Sequence, residues 1–184
     1  NLGTIFGGLE EYQKAKECFK KAIEINPNYT NAHNNLGAIF QELKEYQKAK
    51  ECFEKAIEIN PTYADAHDNL GTIFGGLGEY QKAKSCYEKA IEIDPNHADA
   101  HNNLGVTFKD LREHQKAKSC YEKAIEINPN YIKAHYNLGS LLHELGEYQK
   151  AKECLEKTIK INPNHFDAHN NLGNVFIKLG ESQK

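Results

Sequence analysis

The sequence predicts an all-α solenoid of antiparallel helix pairs, one pair for every 34 residues. Three observations carry that prediction. One phrase keeps returning: Ala32-His33-Asn34-Asn35-Leu36-Gly37 comes back from Ala66, Ala100, Ala134 and Ala168. Gly3, Gly37, Gly71, Gly105, Gly139 and Gly173 hold the same step without an insertion, and so do Pro27, Pro61, Pro95, Pro129 and Pro163. Within each period the apolar residues recur at helical spacing. A fixed period of this length is the signature of stacked supersecondary units. The units fall at 1–29 (truncated), 30–63, 64–97, 98–131, 132–165 and 166–184 (truncated), a single array over 1–184.

Unit 30–63 shows the elements in order. Ala32, Leu36, Ile39, Phe40 and Leu43 form one apolar stripe, which defines a first helix, A. Its start is expected at a small polar residue just after proline, such as Thr62, Asn96 or Asn164. Asp65, Asp99 and Asp167 stand three residues on, where a capping box would place a carboxylate. Lys133 after Asn130 breaks that pattern. Helix A should stop near Leu43-Lys44, and the matching Gly78, Gly146 and Gly180 suit a left-handed stop. Lys44, Arg112 and Glu10 at the same place show that glycine is preferred rather than required. Tyr46, Ala49, Cys52, Phe53, Ala56, Ile57 and Ile59 form the stripe of a second helix, B. It ends at Asn60-Pro61, since proline disfavours helical geometry in the residue before it. Gly37, Ala49 and Ala56 are small where the two helices should cross, and Leu36 and Phe53 supply bulk between them.

These residues resemble the tetratricopeptide repeat. The family phrase reads here as His33, Leu36-Gly37, Phe40, Ala49, Phe53, Ala56 and Pro61, and the match covers the whole chain. One departure is systematic: His33, His67, His101, His135 and His169 stand where the family often has Trp. Thr158 replaces the second Ala of the fifth unit. The resemblance implies a right-handed superhelix whose A helices line the concave face. It also implies protein or peptide binding without catalysis. The phrasing is most similar to the superhelical arm of the O-linked N-acetylglucosamine transferases, which carries a ladder of asparagines and holds extended polypeptide. No transferase domain is present in these residues.

The candidate groove residues follow from comparing the copies with one another. Asn35, Asn69, Asn103, Asn137 and Asn171 are identical yet lie off the apolar stripe. A side-chain amide offers two donors and an acceptor, so it can pair with a peptide backbone of any sequence. Units about 10 Å apart would place one Asn at roughly every third residue of a chain rising about 3.3 Å per residue. The other reading is that each Asn bonds to a neighbouring helix. Asn34, Asp68, Asn102, Tyr136 and Asn170 occupy the preceding, variable position and would tune the groove. Tyr136 and His143 could add stacking. On this face the acids are Glu42, Asp65, Asp68, Asp99, Asp110, Glu144 and Asp167, and the bases are Lys109, Lys133 and Lys178. That excess favours an extended ligand that is neutral or basic. It also disfavours a carboxylate clamp, which needs bases on successive A helices. Gly7-Gly8 and Gly75-Gly76 would either end helix A early or open the groove floor.

Several function classes are excluded. Lys plus Arg is 23 against 26 for Asp plus Glu, a formal net charge of −3, so the basic excess of a nucleic-acid binder is missing. The lysines of helix B, such as Lys48, Lys50 and Lys55, read as a solvated outer face, with Glu51–Lys55 and Glu153–Lys157 as favourable pairs. No apolar run is long enough to span a bilayer, and no signal peptide is visible. Cys18, Cys52, Cys86, Cys120 and Cys154 fall one per period, too far apart for bridges. They read as reduced, half-buried thiols of an intracellular, cytoplasmic protein, which also makes the Asn28-Tyr29-Thr30 glycosylation match irrelevant. His97/His101 and His165/His169 have helical spacing but lack further ligands, so no metal is expected. No catalytic constellation and no cofactor motif is present; Gly76-Leu77-Gly78 lacks the context of a phosphate loop.

The reading is a non-catalytic scaffold that binds an extended peptide through an asparagine ladder. A substrate-recruiting arm of a larger enzyme, such as a glycosyltransferase, is the alternative, since the chain begins in mid-phrase without Met. A third reading is end-to-end self-association through Leu172, Val175 and Phe176.

Overall fold

The computed structural model describes the backbone of residues 2–181 and the side chains of residues 10–180. Among the described residues there are ten α-helices and no strand. The chain divides into two compact units, residues 1–95 and 96–184. The first holds α1 (Leu2–Ile25), α2 (Thr30–Glu42), α3 (Tyr46–Ile59), α4 (Ala64–Gly76) and α5 (Tyr80–Ile93). The second holds α6 (Ala98–Asp110), α7 (His114–Ile127), α8 (Ile132–Glu144), α9 (Tyr148–Ile161) and α10 (Phe166–Glu181). In the first unit α2 packs on α3 and α4 on α5, and α2 also touches α4 directly. In the second, α6 packs on α7, α8 on α9 and α10 on α9, while α8 touches both α6 and α10. Within each unit the A helices therefore lie side by side. The fold is the expected all-α helical repeat.

The core of each pair is a glycine facing a large side chain. Phe53, Ala49 and Ala56 are fully buried in α3, against Leu36 and Gly37 of α2. A Cβ added to Gly37 would lie 2.6 Å from the Phe53 ring. Gly71 meets Tyr87 and Gly105 meets Tyr121 in the same way, at 2.7 and 2.6 Å. Gly139 meets Leu155 at 2.9 Å. The invariant glycine of the phrase is thus a steric requirement of the crossing. Thr158, in place of alanine, is also fully buried, and its hydroxyl donates to the Cys154 carbonyl at 2.9 Å. The substitution is accommodated because the hydroxyl finds an acceptor inside its own helix.

The A-to-B turns are Schellman stops. Lys44 N–H donates to Gln41 O at 2.9 Å and Glu45 N–H to Phe40 O at 2.8 Å. Gly78/Glu79, Arg112/Glu113 and Gly146/Glu147 repeat both bonds. The pivot residue is left-handed in all four: Lys44 at φ 59°, Gly78 at 75°, Arg112 at 62° and Gly146 at 77°. A side chain in that region carries a penalty that glycine does not. Lys44→Gly and Arg112→Gly should therefore each raise stability by about 0.5–1 kcal/mol, read as a higher urea midpoint with an unchanged denaturant slope.

Four expectations are corrected at the helix ends. Unit 1–29 does not make a helix pair. α1 runs unbroken through Glu10, which stands at the stop position. Gly7-Gly8 therefore do not end a helix, and any role in a groove lies outside the described side chains. Gly180 likewise lies inside α10 rather than in a left-handed stop. Gly75-Gly76 do not shorten α4, which has the same 13 residues as α2, α6 and α8.

The capping box is absent at α4 and α6. Helix A begins one residue later than expected, with Tyr63 or His97 at the N-cap. Thr62 is drawn instead into an Asx turn, its N–H and hydroxyl both donating to Asn60 Oδ1 at 3.1 and 2.9 Å. His97 Nδ1 caps α6 by accepting from Ala100 N–H at 3.2 Å, and His165 does the same for Ala168. Asp99 accepts a hydrogen bond from the Tyr131 hydroxyl.

The histidine that replaces the family's Trp has a structural explanation. His33 Nε2 donates to the Pro27 carbonyl at 2.9 Å, and His67, His135 and His169 repeat the bond to Pro61, Pro129 and Pro163. It ties helix A to the loop that precedes it. Among the described residues no three or more of His, Cys, Asp and Glu come together as a metal site would need, and no helix is long and apolar enough to cross a membrane.

The outer face of helix B carries ion pairs, though not the expected ones. Lys55 pairs with Glu58 at 2.9 Å rather than with Glu51, which accepts from Gln47 instead. Lys89–Glu92 and Lys123–Glu126 repeat that spacing. Such exposed pairs add solubility more than stability.

None of the five cysteines is in a disulfide; four are half-buried, whereas Cys18 is exposed, contrary to expectation. Burial pushes the Cys52, Cys86 and Cys154 thiols up from 9.0 to about 11. The unfolded chain loses these protons first, so their stabilising contribution is complete below about pH 9 and is lost as pH rises through about 11. A urea-melt series over that window should show a falling midpoint. Replacing the three cysteines with alanine should flatten the fall.

At the C-terminal end the expected apolar face is smaller than the sequence suggests. Val175 is fully buried and Leu172 half-buried, while Phe176 and Ile177 are 50% and 60% exposed. α9 covers the side of α10 that carries Val175.

Candidate peptide-binding face

The off-stripe residues of helix A meet across neighbouring A helices in a constant register. In the first unit Asn69 Nδ2 donates to Asn34 Oδ1 at 3.0 Å. In the second, Asn137 Nδ2 donates to Asn102 Oδ1 at 2.9 Å. Asn171 Nδ2 reaches the Tyr136 hydroxyl at 3.4 Å and Ser140 Oγ at 3.2 Å. Lys109 Nζ meets Glu144 at 2.6 Å. In the pairs Asn34–Asn69, Asn102–Asn137, Tyr136–Asn171 and Lys109–Glu144, residue i faces residue i+35. Each is a rung between adjacent A helices.

This places the predicted residues in two layers. Asn34, Asp68 and Asn102 are buried, at 6%, 7% and 3% exposure. Asn69, Asn103, Asn137 and Asn171 lie above them, half-buried, and Asn35 is exposed. Asn102 joins the layers, accepting from Asn137 while its own Nδ2 donates to Asn103 Oδ1 at 3.3 Å. Tyr136 is half-buried and stacks on His165, with ring centroids 4.8 Å apart. Asn170 is exposed. His143 tilts against Tyr148 at 5.7 Å.

The amides keep capacity after these bonds. Each has two N–H groups and a carbonyl. Asn69 and Asn137 each commit one N–H to the buried partner. The second N–H and the carbonyl can serve a ligand. Sequence reasoning separated the ladder from a neighbour-bonding role, but one amide can do both. The i+35 register itself was not readable from a 34-residue period, because the extra residue comes from the axial offset of packed helices. The histidine–proline bond did leave a signal: the two stand six residues apart in every full copy.

Comparison with known proteins agrees with this architecture. Family models described as tetratricopeptide repeats match residues 28–96, then 1–29, 98–131 and 132–165, and finally 154–184. The chain belongs to the tetratricopeptide repeat family. Solved tetratricopeptide structures resemble it over most of its length. YrrB, described as a TPR protein with an unusual peptide-binding site, is 26% identical with a TM-score of 0.71, covering 88% of this chain and 84% of its own. MamA is 25% identical with a TM-score of 0.71, covering 91% of this chain and 98% of its own. TTC0263, a thermophilic TPR protein of Thermus thermophilus, has a TM-score of 0.75 at 20% identity, covering 96% of each chain, a likeness of fold alone. No curated protein matches the sequence. The tetratricopeptide architecture and these neighbours support a protein-interaction role.

Proposed function

We propose that this chain is a non-catalytic interaction module that holds an extended peptide along its A helices, with Asn35, Asn69, Asn103, Asn137 and Asn171 as backbone contacts. The observation that carries this reading is the half-committed amide. Asn69 and Asn137 are fixed in orientation by buried partners and retain a donor and an acceptor. Fixed side chains lose little further entropy on binding, so they suit repeated backbone recognition. The ligand is neutral or basic, because acids outnumber bases on these helices and Lys109 is tied to Glu144. The unbridged thiols suit a reducing compartment, the cytoplasm in this reading.

Asn35 and Asn69 make the test. Asn35 is exposed, so Asn35→Ala should leave the melting temperature unchanged and weaken capture on an array of extended peptides about tenfold, the equivalent of one lost hydrogen bond. Asn69→Ala strands the buried Asn34 amide and should also cost about 1–3 kcal/mol of stability. Capture unchanged in Asn35→Ala, Asn69→Ala and Asn137→Ala alike would sink the ladder.

A further inference from the structure

The i+35 register locates one rung that is missing. In the second unit Lys109 and Glu144 close the last turn of adjacent A helices. The equivalent pair in the first unit is Gln41 and Gly76, and glycine offers nothing to meet. A cavity of about 340 Å3 occupies the place, lined by Gln41, Glu42, Tyr46, Thr72, Ile73 and Leu77 together with Lys44 and Gly76. That lies at the small end of ligand pockets, which span about 300–1,000 Å3, and suits one side chain.

Packing does not explain the glycines. A Cβ on Gly76 would meet nothing within 4 Å, and one on Gly75 would make only ordinary contacts at 3.8 and 3.9 Å. Both stand inside α4, where glycine is the poorest helix former after proline. Gly7-Gly8 repeat the pair, whereas the matching positions of the other copies carry Gln41-Glu42, Lys109-Asp110, His143-Glu144 and Ile177-Lys178.

We infer that this cavity receives an arginine side chain of the bound segment. The inference rests on the groove reading above and names a residue of its ligand. Ile73, Leu77 and the Tyr46 ring offer apolar walls for a long methylene stem. Glu42 supplies a carboxylate for a bidentate guanidinium contact, and Tyr46 a face for the planar cation. The C-terminal ends of α2 and α4, at Glu42 and Gly76, both border the cavity, and helix C-termini favour cations. Lys44 is the one base in the lining. Like Glu42 it is exposed, so solvent screens both charges and the bidentate geometry and the Tyr46 face carry the selectivity.

The test uses N-acetyl-arginine methylamide and N-acetyl-leucine methylamide, each titrated while amide NMR shifts are followed. The arginine compound should shift Thr72, Gly76 and Leu77. Glu42→Gln, which removes the charge, and Gly76→Gln, which fills the space, should each weaken it about tenfold. Gly76→Gln should not lower the melting temperature, since glutamine is the better helix former and its Cβ meets nothing. Equal or tighter binding of the leucine compound, or no shift with either, would overturn the assignment. An extended serine–alanine peptide with one arginine, compared with its citrulline counterpart, separates the two proposals. If Asn35→Ala weakens capture while citrulline binds as well as arginine, the pocket fails and the groove stands. If the arginine compound binds the cavity while Asn35→Ala captures peptides like wild type, the groove fails and the pocket stands.

Discussion

Tyr121→Ala is expected to cost about 3–5 kcal/mol and to lower the urea midpoint further than Asn69→Ala or Gly105→Ala. Tyr121 is 1% exposed and fills the crossing of α6 and α7 over Gly105. Truncation removes the largest fully buried side chain and leaves a void that rigid helix pairs cannot close. Burial holds its phenol well above the usual tyrosine range, so the hydroxyl is protonated at every ordinary pH. Tyr121→Phe should therefore retain most of the stability, which equilibrium unfolding would show directly. A full loss in the phenylalanine variant would mean that the hydroxyl, not the ring, holds the pair together.

Gly105→Ala approaches the same contact from the other side. Its new Cβ would sit 2.6 Å from the Tyr121 ring, so the helices must part or the ring must leave its rotamer. Overpacking of this kind costs about 1–3 kcal/mol. The double variant Gly105→Ala, Tyr121→Ala gives the sharper check. With the ring gone the added methyl has room, so the double loss should fall short of the sum of the two single losses. Strict additivity in chemical melts would show that the glycine and the ring act independently, against the steric account.

Much of this architecture was legible because repetition turns one chain into its own comparison set. The helix pairs, the apolar stripes of Leu36 and Phe53, the small residues at the crossing and the stop after helix B all follow from local periodicity and steric rules. The same repetition misled at the edges. Unit 1–29 reads as a helix pair by analogy, but α1 runs unbroken through Glu10, where Lys44 and Arg112 take a left-handed backbone. The capping box failed for a related reason. Asn60 captures Thr62 first, and Tyr63 takes the cap position.

The candidate site divides the same way. The sequence by itself determined the repeat, the helix faces and the positions of Asn35, Asn69, Asn103, Asn137 and Asn171, because these depend on chemistry within one unit. Only the tertiary structure decided what faces what between neighbouring A helices of one compact unit. It buried Asn34, Asp68 and Asn102, committed one N–H each of Asn69 and Asn137, and opened a cavity where Gly76 fails to meet Gln41. The physical reason is the i+35 register. It comes from the axial offset between packed A helices, which no spacing within a single helix encodes.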